Sequence, residues 1–302
     1  MTVEQFLSEW LMVHTPTVRV RTAQNYASHV KNYINPVIGS KELSTVTPVD
    51  VVDIVSYMQN KNIAASTIRL MQTILRQAFD YAVARKYVSD NAAKAAGKIR
   101  VPSASVSVVT MGTLRNISEA IKSARHSSIL RLALVQGFRR GEVCALRWAD
   151  IDFDNQTIRI ERQVVRIDGV GLVVQEPKTI TSRRIVPMST VAYDVLSEQY
   201  DNRTGETDWV FPGSVERDLP IDPMRVYNSF QTALDANGLP RMGLHQLRHA
   251  FGTILRAQGV SERTLMDLFG HTSTRMTARY GTVVDETKIA AVQTMDTALG
   301  GF

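Results

Sequence analysis

Residues 244–256 read LHQLRHAFGTILR. Leu244, Leu247, Phe251 and Leu255 recur at helical spacing and form one apolar stripe, so this segment is a helix laid on a core. His245 and Arg248 stand three apart on a neighbouring face, where both can address one ligand. Gly252 continues that polar side and leaves room for close approach. His245 and His249 also have the spacing of a helical zinc pair. A metalloprotease helix needs Glu directly after the first His, and here the residue is Gln246. The Arg248 cation between the histidines would oppose a metal as well, so no metal is expected.

On the C-terminal side, helices are expected at 262–269 and 274–280, with a last apolar-spaced tail at 285–299. Phe269-Gly270-His271-Thr272-Ser273 breaks the first two apart, and Tyr280-Gly281 ends the second, beside Arg275 and Arg279. On the N-terminal side, helices are expected at 111–124, 127–138, 190–200 and 223–236. Between them, 157–187 has strand character: TIRIERQVVRI, a DGVG turn, then VVQEPKTITSRRIVP with a second polar turn. That pattern predicts a short antiparallel sheet of about three strands. Residues 97–108, GKIRVPSASVSV, gather Gly, Pro and Ser without a stripe and read as a linker.

Ahead of the linker, residues 1–96 read as a compact four-helix unit. Phe6, Leu7, Trp10 and Leu11 mark the first helix. Thr22 precedes a second, carrying Tyr26, Val30 and Ile34, and NPVIGS at 35–40 reads as a turn. Thr47-Pro48 opens a third, with Pro suited to a first helical position. Ser66 is placed to cap a fourth, whose stripe is Ile68, Met71, Leu75, Phe79 and Val83. The fold class is therefore mainly α with a small antiparallel sheet (α+β), divided as 1–96, a linker at 97–108, and 109–302 with its tail from 283. At 302 residues the chain suits two domains of roughly 100–200 residues.

Composition excludes several classes. With 44% hydrophobic and 21% charged residues, the chain is neither disordered nor a coiled coil. A lone cysteine, Cys144, rules out an internal disulfide framework and a multi-cysteine zinc site, and fits a reducing compartment. The opening MTVEQFLSEW carries acids where a signal peptide has positive charge. No stretch approaches the roughly 18 apolar residues of a membrane span, so a cytoplasmic protein is expected.

The net charge of +6 is unevenly placed. Residues 1–100 hold 12 Lys and Arg against 7 Asp and Glu, a balance of +5; residues 101–302 hold 23 against 22, a balance of +1. Solubility alone is compatible with a net charge this small; the sharper reading is a small basic domain that grips a polyanion. The 23 basic residues of the second part are 20 Arg and three Lys: Lys122, Lys178 and Lys288. Arg is a fixed cationic fork suited to phosphate, whereas Lys can surrender a proton.

Four clusters then carry chemistry: Gly137-Phe138-Arg139-Arg140-Gly141-Glu142 after an apolar helix, Pro177-Lys178-Thr179 on a turn, the 244–249 helix, and His271 with Tyr280. Singly, each has a bland explanation: a surface ion pair, a solvated turn, a packed ring. Jointly, two Arg, one Lys, two His and one Tyr suit attack on a phosphodiester. Guanidiniums hold the non-bridging oxygens and oppose the charge that builds up in the transition state. A phenol, with a free pKa of about 10, is a nucleophile only when a base takes its proton. His245 is the candidate base, and Lys178 the candidate acid for the departing hydroxyl.

In order and spacing, ALVQGFRRGEVCALRWADID, EPKTITSRRIVP, LHQLRHAFGT and LFGHTSTRMTARYG resemble the signature blocks of the tyrosine recombinases, the phage integrase family. The resemblance spans essentially the whole chain, since residues 1–96 resemble that family's SAM-like core-binding domain. It implies an active site of Arg139, Lys178, His245, Arg248, His271 and the nucleophile Tyr280. Arg139 is preferred to Arg140 by the family's Gly-x-Arg-x-x-Glu spacing. Glu142 supports the pocket, and His249 is structural or auxiliary. Gln136 stands where many members have Thr, and Phe269 where many have Leu; neither change removes a chemical group. The RRGE and PKT blocks look more like mobile-element integrases than the cellular Xer enzymes. An arm-binding domain, which many members carry ahead of the core-binding helices, is expected to be absent or removed.

The implied reaction is integration or excision of a mobile element through a 3′-phosphotyrosine, with no ATP, metal or other cofactor. The implied partners are double-stranded core sites, a tetramer of this chain on DNA, and a host bending or excision factor. The tail at 285–299 is expected to dock on a neighbouring protomer. In the first domain, Arg69, Gln72 and Arg76 lie opposite the apolar stripe, and Arg19, Arg21 and Lys31 surround the second helix; these are the candidate DNA contacts. Two alternatives share parts of this reading: a type IB topoisomerase, with the same first half-reaction, and a non-catalytic DNA-binding protein.

Overall fold

The computed structural model describes residues 1–101, 110–177, 182–270 and 286–300. The chain divides into two units, Met1–Ser107 and Val108–Phe302.

In the first unit, α1 (Val3–His14) is opened by a capping box. Thr2 accepts from the Gln5 N–H at 3.3 Å and Gln5 Oε1 from the Thr2 N–H at 3.0 Å. α2 (Val20–His29) runs through a π-helical turn at Val30–Ile34 into α3 (Asn35–Ile38). The expected turn at 35–40 is thus partly helical, because Pro36 falls in the first turn, where its missing N–H costs nothing. α4 (Pro48–Asn60) starts behind Thr47 and Asp50 as the sequence implies. α5 (Ala65–Ala84) is capped by Ala64, leaving Ser66 inside the helix rather than at its cap. A short α6 (Ala92–Ala95) follows. Ile68, Met71, Leu75 and Phe79 are buried, with Ala82 taking the inward place expected of Val83. The Phe79 ring meets Phe6 edge to face at 6.2 Å.

The second unit begins with α7 (Met111–Lys122), α8 (Ser127–Gln136) and α9 (Arg140–Cys144). Five strands follow: β1 (Ile151–Asp152), β2 (Thr157–Ile160), β3 (Gln163–Ile167), β4 (Gly171–Gln175) and β5 (Arg184–Pro187). They form two sheets, not one. β1, β2 and β5 make an antiparallel sheet in that order, with Ile160 opposite Arg184, while β3 and β4 form a separate hairpin. The DGVG turn closes that hairpin, and Gly169 and Gly171 supply its positive φ angles.

Then come α10 (Thr190–Asp201), α11 (Pro223–Ala236), α12 (Leu244–Ala257), α13 (Glu262–Phe269) and α14 (Glu286–Leu299). The fold is mainly α with small antiparallel sheets. α8 lies at the centre of this core, with Leu130, Leu132 and Leu134 fully buried. The stripe of α12 reads as expected: Leu244, Leu247, Phe251 and Leu255 are at most 4% exposed.

α14 lies on its own unit. Ala291, Val292, Met295 and Leu299 join the same core. Gln293 Oε1 and Asp296 Oδ2 accept from the first N–H groups of α10, Thr190 at 3.3 Å and Val191 at 3.0 Å. In this single chain the tail packs on its own unit. Among the described residues, no helix is long and apolar enough to cross a membrane.

Candidate active site

The site begins where α8 stops. Gly137 ends that helix with a left-handed φ of 60°, and a Cβ there would come within 2.8 Å of the Phe251 ring. Only glycine meets both demands. The turn sends Phe138 into the core and leaves Arg139 extended at the start of α9. Glu142 folds back and accepts from the Arg139 backbone N–H at 3.0 Å. At 2% exposure its carboxylate needs cationic partners.

Guanidiniums from three parts of the fold supply them. Arg139 Nη1 donates to Oε1 at 2.6 Å. Arg184, from β5, donates through Nη1 to Oε1 at 3.2 Å and through Nη2 to Oε2 at 2.9 Å, a two-pronged pair. Arg248, from α12, brings Nη1 to 3.8 Å from Oε2. Arg248 also donates to the Gly137 carbonyl at 2.9 Å and the Phe269 carbonyl at 2.6 Å. Its guanidinium lies 4.4 Å from the centre of the Phe269 ring. Arg184 and Arg248 are buried, whereas the Arg139 side chain is 32% exposed and opens the cluster to solvent.

One carboxylate among three guanidiniums leaves a surplus of two positive charges. Burial pushes the Glu142 carboxyl up, but Arg184, then Arg248 and Arg139, outweigh it and hold it down at about 2, so it is ionised at neutral pH. Burial, reinforced by repulsion from Arg184 and Arg139, lowers the Arg248 guanidinium to about 9, and it stays protonated at pH 7. Burial, then His249, Arg248 and Arg139, lowers the His245 imidazole below its usual range. A neutral imidazole beside fixed cations can accept a proton. The His249 ring meets it edge to face at 4.5 Å.

The structure thus brings Arg139, Arg248 and His245 into one electrostatic neighbourhood around Glu142. Arg140 is turned away: its guanidinium lies 5.7 Å from the Tyr227 ring on α11. Lys178, His271, Tyr280 and the expected helix at 274–280 lie outside the described residues. Gly252 leaves room for the Phe269 ring, not for a ligand, since a Cβ there would lie 2.8 Å from Phe269 Cε2. Phe269, a departure from the family pattern, is therefore the floor under Arg248.

The residues expected to contact DNA on α5 differ in exposure: Arg69 is exposed, Arg76 half-buried and Gln72 buried. Gln72 is buried and donates to the Ile99 carbonyl at 3.3 Å. Arg69 donates to Val101 at 3.4 Å, and Arg76 to Ala93 at 3.3 Å and to Gly97. These side chains tie residues 93–101 to α5, with Gln72 buried beneath the segment and Arg69 still exposed beside it. The first residues of the expected linker are held in the same way. Arg19, Arg21 and Lys31 are exposed around α2.

Arg184 was not singled out in the sequence. Its signal was alternation: Arg184 and Val186 share a face of β5, and Val186 is an obvious core residue. An inward-facing Arg demands a buried acid.

A preformed surplus of positive charge with an imidazole of lowered pKa beside it is chemically suited to an anion. Comparison with known proteins gives the class. Residues 109–287 match the model of the phage integrase family, and residues 3–98 that of the phage integrase central domain. The chain belongs to the phage integrase family, the tyrosine-type site-specific DNA recombinases.

Its relatives include the tyrosine recombinase XerC-like protein of Caldanaerobacter subterraneus subsp. tengcongensis, 26% identical over 98% of this chain and 83% of that protein. The integrase of Saccharopolyspora erythraea is 22% identical over 99% and 83%. The putative prophage phiRv2 integrase of Mycobacterium tuberculosis is 24% identical over 87% and 70%. Among solved structures, the transposon Tn1549 integrase in complex with a circular intermediate DNA shares the fold, with a TM-score of 0.80 and 22% identity over 90% of this chain and 92% of that one. A lambda integrase dimer bound to a COC′ core site matches with a TM-score of 0.66 and 21% identity, over 90% and 96%.

Proposed function

We propose that this protein integrates or excises a mobile element at double-stranded core sites, with Tyr280 as the nucleophile. Arg139 and Arg248 hold the non-bridging oxygens of the scissile phosphate. His245 takes the phenolic proton as the Tyr280 oxygen bonds to phosphorus. The bond to the 5′-oxygen breaks, and Lys178 gives that oxygen a proton. His271 adds a second imidazole to the pocket. A 5′-hydroxyl from the partner duplex then attacks the 3′-phosphotyrosine, and Tyr280 leaves. The covalent link conserves the phosphodiester energy, so no nucleotide triphosphate enters. The observation that carries this reading is the Glu142-centred cluster, whose buried forks face one anion-sized demand for charge.

The test is a nicked suicide duplex carrying the core site. Wild type should form a denaturation-resistant adduct, and Tyr280→Phe should form none. An adduct from the Tyr280→Phe protein overturns the nucleophile assignment. Binding without any adduct from wild type leaves a DNA-binding protein only. Relaxation of supercoils without junctions between two duplexes points to topoisomerase chemistry instead.

The working form is a tetramer on two duplexes, since exchange needs four strand cleavages. Lambda integrase solved as a tetramer bound to a Holliday junction supports that stoichiometry. A host bending or excision factor is a further expected partner, and the bacterial cytoplasm and nucleoid the expected location. Arg19, Arg21 and Lys31 are proposed phosphate contacts of the basic first unit. Core-site affinity should therefore fall steeply as salt rises, with a log–log slope that shallows by about one for each of these residues changed to Ala. An unchanged slope in the triple variant removes them from the DNA interface.

A further inference from the structure

Resting on that reading of the pocket, we propose that Arg184 is a positioning residue that sets the geometry of Arg139 and Arg248 and fixes the end of α13 at Leu268 and Phe269. It touches no substrate in this scheme. Its role comes from what its guanidinium joins.

Arg184 sits on β5, and its donors go to three different pieces of chain. Two reach the Glu142 carboxylate at 3.2 and 2.9 Å. Nε reaches the Leu268 carbonyl at 2.7 Å, in the last turn of α13. Nη1 also reaches the Ser182 carbonyl at 3.1 Å, four residues after Lys178. Arg248 holds the next carbonyl of the same helix end, Phe269, at 2.6 Å. Two consecutive carbonyls at the negative end of α13 are thus each held by a buried guanidinium, and both guanidiniums lean on Glu142. Gly270 follows with φ 59°, and the chain departs from there.

This arrangement is a two-pronged clamp on one carboxylate. Arg139 is set by Glu142, and Glu142 is set by Arg184. A lysine at 184 keeps the charge but cannot reach a carboxylate and two carbonyls at once, because it lacks the planar fork. Misplacement of catalytic groups by about 1 Å costs on the order of 10²-fold in rate.

The experiment uses the full chain and the suicide duplex. Arg184→Lys should keep its melting transition and core-site affinity, yet cleave on the order of 10²-fold more slowly in a single turnover. Its acid limb should also move to higher pH. Glu142 faces Arg139, Arg184 and Arg248, and replacing the two-pronged Arg184 pair, the largest of the influences that hold its carboxyl down, by a single ammonium contact lets it protonate sooner. A residue that merely supports folding would not move that limb.

Should Arg184→Lys fail to fold, Arg184→Met combined with Glu142→Gln removes both charges and keeps the volume. That protein should fold and bind, and still cleave slowly, because Leu268 is unclamped. Cleavage near the wild-type rate by either folded variant, or an unmoved limb in a folded Arg184→Lys protein, overturns the proposal. Absence of an adduct from wild type would instead sink the recombinase reading beneath it.

Discussion

Arg248→Ala should slow single-turnover cleavage of the suicide duplex by at least the order of 10²–10³-fold expected for loss of one preorganised donor, while core-site affinity falls far less. The separation follows from where the charge sits. Arg248 is 2% exposed and held before any ligand arrives, by the Gly137 and Phe269 carbonyls and the Phe269 ring. Such a group contributes little to the long-range attraction of DNA, which depends on exposed cations. Its contribution rises as charge accumulates on the phosphoryl oxygens, and so appears in the rate. Arg248→Lys should recover little, since an ammonium cannot bond two carbonyls and still present a flat edge to phosphate. A near-normal rate from the folded Arg248→Ala protein would remove this guanidinium from the reaction. A parallel loss of affinity and rate would make it a ground-state contact only.

Much of this was legible in the sequence, and the exceptions share a cause. The α12 stripe is a local pattern, decided within a few residues, and the structure keeps it, while α8 stops at Gln136, two residues before the expected end, because Gly137 takes a left-handed φ. The pairing of Arg184 with Glu142 joins residues 42 apart, so no window of sequence shows it. On α5, Arg69, Gln72 and Arg76 read as a solvated face because polar residues opposite an apolar stripe usually are. They also hydrogen-bond residues 93–101, which bury Gln72 and leave Arg69 exposed; that segment has no periodicity of its own to announce that it packs. The strands between 157 and 187 were visible as strands, but not their division into two sheets. That division depends on β5 returning to β2 past the intervening hairpin. α14 looked like a free tail because its partner groups, the first N–H groups of α10, are about a hundred residues away.

Glu142→Ala should destabilise the catalytic unit by about 3–5 kcal/mol, the usual consequence of stripping a buried charge from its partners. Here it would leave Arg184 and Arg248 buried with no anion between them. The pH dependence gives a sharper reading. The Glu142 carboxyl is depressed in the folded state from an ordinary value of 4.5 to about 2. Its contribution is therefore fully present above the unfolded value and lost as pH falls from about 4.5 toward 2. A shift of that size is worth on the order of 3 kcal/mol. Urea unfolding of Glu142→Gln should accordingly start lower at pH 7 and show a flatter slope on acidification. DNA should then act differently on the two proteins. In wild type a phosphodiester, with one negative charge, meets a surplus of two positive charges; in Glu142→Gln the same anion meets three guanidiniums with no carboxylate among them. Core-site DNA should raise the melting temperature of the variant more than that of wild type, because a ligand stabilises by its preference for the folded state. Equal shifts would mean that the scissile phosphate does not sit within the field of this carboxylate, and the cluster would be a structural knot rather than the wall of an active site.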